Sequence, residues 1–141
     1  MKQQVIVDTG ILVAVLNKHD RYHQWAVQQF SQIEPPLLTC EAVISESNFL
    51  LRHYQQSNIL LKWIAKGALS LPFNLQNEIS MVDHLLVKYA NVPMSLADGC
   101  LVRLTEIYPQ SSIFTLDSDF QIYRKHGNQP IPLIFPEQKS K

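Results

Sequence analysis

Five short apolar runs punctuate the chain: QVIV (4–7), LLT (37–39), ALSL (68–71), SIFTL (112–116) and IPLIF (131–135). Helical spacing fills most of the sequence between them. RYHQWAVQQFSQI carries Tyr22, Trp25, Ala26, Phe30 and Ile33 at intervals of three and four, and LQNEISMVDHLLVKYA carries Leu75, Ile79, Val82, Leu86 and Tyr89 on one stripe. DTGILVAVLN is expected to turn at Gly10 into a short helix. CEAVISESNFLLRHY, the segment from about Asn58 to Lys66, and SLADGCLVRLTEIY supply further helices. Pro35-Pro36, Pro93 and Pro109 end helical segments. SDFQIYRKHG reads as one or two helical turns.

Strands that alternate with helices cannot pair as hairpins. They form right-handed βαβ units, and so a parallel sheet with helices on both faces. QVIV, short and β-branched, is the pattern of a strand buried in such a sheet, and Pro132 places IPLIF at an edge. The expected class is therefore α/β with a mainly parallel central sheet. The length of 141 residues suits one core. One domain is expected over 1–136, followed by a frayed tail over 137–141. No linker, repeat or low-complexity tract divides the chain.

In parallel sheets, sites form at the carboxyl ends of strands. Acid is found at two such ends. Asp8 follows QVIV directly, and Asp117 follows SIFTL. Asp8 also reads as a turn or helix N-cap. Glu46 falls on a helical face with Val43, Leu50 and His53, as a buried charge or as one at the margin of the stripe. Asp98 lies three residues after Ser95, the spacing of a capping box, and shares a face with Leu101, Val102 and Thr105. Asp119 reads as the cap of a helix beginning at Phe120. If the strands are neighbours, at least four carboxylates converge, and like charges raise one another's pKa. No lysine or arginine is adjacent in sequence to Asp8, Glu46, Asp98 or Asp117. A hard divalent cation with oxygen ligands resolves such a cluster, and its chemistry suits phosphoryl transfer.

These segments resemble the PIN-domain family, and within it the VapC-like toxin ribonucleases. VIVDTGILVAVLNKHDRYHQWA resembles the family's first motif, LLTCEAVISESNFLL its second, MSLADGCLVRLTE its third and SIFTLDSDFQIYR its fourth. The motifs come in the family's order and cover nearly the whole chain. The resemblance implies a three-layer α/β/α sandwich and metal-dependent endonucleolytic cleavage of RNA that leaves a 5′-phosphate and a 3′-hydroxyl. It implies one or two magnesium or manganese ions as cofactors. By position, Asp8, Glu46, Asp98 and Asp117 match the acidic quartet, and Asp119 matches a further acidic position with a share in a second ion or in support. Thr9 and Thr115 match small hydroxyl positions that orient carboxylates or water. Gly99 departs from the family, which commonly has alanine there. The implied partners are RNA, a small antitoxin protein that fills the groove, and a second copy of the chain in a homodimer.

Composition narrows the alternatives. Twelve basic and twelve acidic residues give a formal net charge of zero, which excludes a strongly basic nucleic-acid binder but not a segregated basic patch. Lys18, Arg21, Arg52, Arg124 and Lys125 are candidates for a rim that holds RNA phosphates, or else a solvated face. Cys40 and Cys100 lie in apolar segments and read as buried free thiols. His19 and His23 lack a third ligand for zinc, and Trp25 and Trp63 read as packing residues. No signal peptide is expected, nor a run approaching the ~18 apolar residues of a membrane span. A cytoplasmic location is the default expectation. Rival readings are a PIN-like RNA-processing nuclease without an antitoxin, a non-catalytic RNA- or protein-binding module, and a receiver-like phosphotransfer domain. The last usually needs a lysine at a later strand end, and none follows an expected strand.

Overall fold

In the computed structural model, which describes residues 3–54 and 58–137, the run QVIV forms β1 (Gln4–Val7) in the middle of a five-stranded sheet. The other strands are β2 (Leu37–Leu38), β3 (Leu69–Ser70), β4 (Ser111–Phe114) and β7 (Leu133–Ile134), in the order β3-β2-β1-β4-β7. Every pairing in this sheet is parallel. Each expected strand is present, and the one with Pro132 beside it is at the edge. The chain moves outward from β1 through β2 to β3, then crosses back to β4 on the other side of β1. The strand order therefore reverses between β1 and β4, and crevices for ligands open at such points.

Six α-helices among the described residues cover the sheet: α1 (Thr9–Leu16), α2 (His23–Ser31), α3 (Glu41–Leu50), α4 (Ile59–Ala65), α5 (Leu75–Lys88) and α6 (Leu96–Ile107). Together they form a three-layer α/β/α sandwich, the expected class. The sheet and helices bury one continuous apolar cluster, with Ile6, Val7, Leu101, Leu104, Ile113 and Phe114 fully inaccessible. Trp25 packs edge-on against Phe114 at 5.7 Å between ring centres, and Trp63 stacks on Phe30 at 5.1 Å. Both tryptophans are packing residues, as expected. Cys40 and Cys100 are free and buried. No helix among the described residues is long and apolar enough to cross a membrane.

Several expectations need correction. The helix after β1 starts at Thr9, so Gly10 lies inside its first turn. On α5, Val82, Leu85 and Tyr89 are buried, but Leu75 and Ile79 are 36% and 51% exposed. The buried face is rotated away from the predicted stripe, towards Leu85. SDFQIYRKHG contributes one 3-10 turn (Ser118–Gln121) and then a strand, β5 (Arg124–Lys125), which pairs antiparallel with β6 (Gln129–Pro130). This hairpin turns through His126 and Gly127, both with positive φ. Two-residue strands outside the main sheet carry no apolar alternation, so periodicity could not reveal them. The expected frayed tail lies outside the described residues except for Glu137.

The helix pair α5–α6 explains the glycine at position 99. A Cβ built on Gly99 would stand 3.3 Å from Leu86 Cδ2, 3.4 Å from Val82 Cγ1 and 3.5 Å from Met94 Sδ. The ends of Leu86 and Met94 can yield, and alanine gains about 1 kcal/mol of helix propensity over glycine. Gly99→Ala is therefore expected to leave stability within about 1 kcal/mol of wild type, whereas Gly99→Val overpacks the contact and loses roughly 1–3 kcal/mol. Urea unfolding of the two variants measures both. A larger loss for alanine would show that the contact is rigid.

Candidate active site

The parallel register of β1 and β4 pairs Val7 with Phe114, which brings the next residues, Asp8 and Thr115, level with each other. Thr115 Oγ1 donates to Asp8 Oδ2 at 2.7 Å and accepts from the backbone N–H of Asp117 at 2.9 Å. One threonine hydroxyl thus ties together the two strand-end aspartates. On the other side of β1, Thr39 Oγ1 donates to the Val7 carbonyl at 2.8 Å. The carboxyl ends of β2, β1 and β4 are locked in place by side chains just beyond them.

Asp8 is 8% exposed and caps α1, with Oδ1 accepting from Thr9 N at 2.7 Å. Both carboxylate oxygens have a donor, yet burial raises its pKa from the usual 3.8 to about 6. The charges of Asp98 and Asp117 add to the rise, and the two hydrogen bonds oppose it. Asp98 forms the predicted capping box: Asp98 N donates to Ser95 Oγ at 3.0 Å, and Ser95 N donates to Asp98 Oδ2 at 3.2 Å. The same Oδ2 lies 3.3 Å from the hydroxyl of buried Tyr123. Burial and the charge of Asp117 push Asp98 up as well.

The cap at the end of β4 differs from the expected one. Asp117, not Asp119, is the N-cap of the 3-10 turn, its Oδ1 accepting from Asp119 N at 2.9 Å. Asp119 lies within the turn, where its carbonyl accepts from Ile122 and Tyr123. Of the two readings of Glu46, the one that puts its charge in water holds, although the face it was placed on is not the buried one. The buried face of α3 comprises Val43, Ile44 and Ser47, while Glu46, Leu50 and His53 are exposed. The glutamate is on the outward side of the helix, where its charge meets water.

Four carboxylates nevertheless share one cavity. Asp8, Glu46, Asp98 and Asp117 all line a cavity of about 760 Å³, over an apolar floor that includes Val13 and Leu116. Asp119 is not part of its lining. Thr9 is, and its hydroxyl is buried without a hydrogen-bond partner. Two further charged residues line it: Asp20, a fifth acid that sequence reasoning did not place here, and Arg21, a candidate of the phosphate rim and the one basic side chain of the lining. Asp20 was missed because it stands in a wholly polar loop, NKHDRY. A signal was present, since Asn17 and Asp20 are residues that make local turns. No ion pair joins Arg21 to the acids among the described residues.

The donor set fits a hard cation in type, being carboxylates and an orphaned hydroxyl. Among the described residues no three His, Cys, Asp or Glu side chains are gathered closely enough to surround one ion. The acids line the wall rather than meet at a point. Magnesium suits that spacing, because it keeps several waters and commonly takes one or two carboxylates.

Of the proposed phosphate rim, Arg21 alone lines the cavity. Lys125 is buried and donates to the Pro109 carbonyl at 3.0 Å, and Arg124 donates to the carbonyls of Gln121, Ile122 and Tyr123. Arg52 sits over the Phe49 ring at 3.8 Å, and Lys18 is exposed and not part of the lining. His23 is half-buried, with Nδ1 2.7 Å from the Ala14 carbonyl, a backbone tie rather than a zinc ligand.

No protein-family model and no curated protein matches the sequence. Solved structures do match. The crystal structure of VapC20 from Mycobacterium tuberculosis, a Sarcin-Ricin loop cleaving toxin, superposes with a TM-score of 0.76 at 16% identity, covering 84% of this chain and 94% of that one. The fold is thus the PIN-like one that the resemblance implied.

The raised pKa of Asp8 has a consequence for stability. A carboxyl that titrates near 6 when folded and at 3.8 when unfolded holds its proton longer in the folded state. Below about pH 4 both states are protonated and nothing is lost. From there to about pH 6 the unfolded chain ionises first, so stability falls, by roughly 3 kcal/mol for this group. In EDTA at pH 8, Asp8→Asn is expected to be more stable than wild type by about 1–3 kcal/mol, with a flatter profile between pH 4 and 6. Urea midpoints across that range check it, and an unchanged profile with no gain at pH 8 would contradict the burial argument.

Proposed function

We propose that this chain is a metal-dependent endoribonuclease that hydrolyses RNA phosphodiester bonds, the toxin of a toxin–antitoxin pair. The observation that carries the reading is Asp8: a buried carboxylate at the strand-order reversal, facing Asp98 and Asp117 across a cavity, with no ion pair to neutralise it among the described residues. Keeping such a charge is costly without a partner from outside. The likeness in fold to a toxin that cleaves RNA supports the same assignment.

Asp8, Glu46, Asp98 and Asp117 would hold one or two magnesium or manganese ions, Asp8 being the member with the fewest alternatives. A bound ion supplies positive charge for the phosphate and makes a water more acidic. The protein's own contribution is orientation. The Thr115 hydroxyl and Thr9 N–H fix both oxygens of Asp8, leaving their remaining lone pairs towards the cavity. The capping box fixes Asp98, and the 3-10 turn fixes Asp117. Thr9 Oγ1, free of other bonds, can hold a water or a phosphate oxygen beside Asp8. Asp119 would act from behind, as negative charge near Tyr123 rather than as a ligand in the cavity.

The cavity counts against a receiver-like phosphotransfer site, since no lysine lines it among the described residues. A protein partner is favoured by the apolar shoulder beside the acids, where Phe49 and Leu50 are 59% and 46% exposed. We propose a small antitoxin as the occupant of that shoulder. A homodimer in the cytoplasm completes the proposal.

Two outcomes are expected. Asp8→Asn abolishes RNA cleavage in magnesium or manganese while its circular dichroism matches wild type, and the wild-type products carry 5′-phosphates. Millimolar magnesium also raises the melting temperature of wild type, because the ion binds the folded acids, and raises that of Asp8→Asn far less. Cleavage by Asp8→Asn at the wild-type rate, from preparations free of other nucleases, would sink the assignment.

A further inference from the structure

The cavity contains a contradiction for an RNA enzyme: its wall has five acids and its substrate is a polyanion. A bound cation offsets part of the repulsion at the reacting phosphate, but neighbouring phosphates on the strand must also pass the acids. Arg21 is the one basic side chain in the lining. Of the other basic candidates, Arg52, Arg124 and Lys125 are engaged elsewhere and Lys18 is not part of the lining.

The loop that presents Arg21 is built to hold it. His19 N donates to Asn17 Oδ1 at 3.0 Å, and Tyr22 N donates to Asp20 Oδ1 at 2.9 Å, two successive side-chain-closed turns of which the second has Arg21 at its centre. Asp20 N donates to the Asn17 carbonyl at 3.0 Å, and His23 N to the Asp20 carbonyl at 3.0 Å. The His23 ring, 2.7 Å from the Ala14 carbonyl, fastens the start of α2 to α1. The Arg21 guanidinium carbon stands 5.3 Å from the centre of the Tyr22 ring, which steadies a side chain that forms no ion pair among the described residues. A guanidinium so placed, weakly hydrated and with its fork of donors free, suits a phosphate bidentately.

We propose that Arg21 is a substrate-positioning residue: it holds a phosphate flanking the scissile one on a single-stranded RNA and so draws the strand past the acidic wall. The inference rests on the nuclease reading. Tyr22 and the turn closed by Asp20 serve to set the guanidinium in place. Arg21 takes no proton and touches no reacting atom, so its loss weakens substrate capture more than the chemical step.

The test uses Arg21→Ala and Arg21→Lys in the full chain, with a short fluorescein-labelled single-stranded RNA of mixed sequence. Arg21→Ala is expected to raise KM by roughly tenfold, as for one charge-assisted contact, with kcat within about threefold of wild type. In the cleavage-deficient Asp8→Asn background, with magnesium present, it lowers the slope of log affinity against log salt by about 0.7, the value for one phosphate on a single strand. Arg21→Lys keeps the slope and recovers part of the affinity, and each Arg21 variant keeps the melting temperature of its parent protein. A merely structural role would move the melting temperature and leave the slope alone. Wild-type cleavage together with an unchanged KM and slope in Arg21→Ala overturns this inference alone. If wild type neither binds nor cleaves the RNA in magnesium or manganese, the nuclease reading fails and takes the inference with it.

Discussion

The hydrogen bond from Thr115 to Asp8 is the point on which the architecture turns. It exists because β1 and β4 pair in parallel with Val7 level with Phe114. A slip of one residue would turn the side chains of a strand to the opposite face of the sheet. Asp8 would then lose its donor, and Phe114 would lose Trp25. Register, core and acidic cavity are therefore specified by the same apolar residues. Burial makes the register strict, and the strict register delivers the carboxylate to one place.

The acids of this cavity also dissolve an apparent choice between structural and functional readings. Asp8 and Asp117 each cap a helix or turn, and Asp98 completes the capping box of Ser95, all common uses of an aspartate. Capping consumes only part of the hydrogen-bonding capacity of a carboxylate, which has about four lone-pair sites. What it adds is a fixed orientation. A cap at the end of a parallel strand places a negative group where the next helix begins, and the strand-order reversal gathers several such ends around one crevice. The electrostatic strain appears where burial is deepest, at Asp8, and is smaller at half-buried Asp98. A fold that stabilises its helix starts in this way obtains a cation-seeking wall as a by-product of its own local chemistry.

Much of this was legible in the sequence. The five strands announced themselves as apolar, partly β-branched runs, and their alternation with helices sufficed for the parallel sheet. Asp8 and Asp117 were located by following such runs, and the Ser95–Asp98 box by its spacing. Helix phase was harder. On α3 the outward face carries Phe49 and Leu50, and on α5 it carries Leu75 and Ile79, so exposed apolar residues imitated a core stripe. That is why the sequence left Glu46 open between a buried charge and a solvated one. The cap at Asp117 was misassigned to Asp119 because a 3-10 turn starts one residue earlier than the expected helix. Arg21 was one of five basic candidates with nothing in the sequence to single it out, and Asp20 was not seen at all, because what brings them to the cavity is the clip between α1 and α2. That contact joins residues that no periodicity relates.

The central claim is that these acids hold a divalent cation. Crystals soaked in manganese, with anomalous diffraction collected at the metal edge, test it most directly. The account predicts an anomalous peak in the cavity within bonding distance of Asp8 and at least one of Asp98, Asp117 and Glu46, and its loss in Asp8→Asn. A cavity without a peak at saturating manganese, or a peak that persists unchanged in Asp8→Asn, would contradict it.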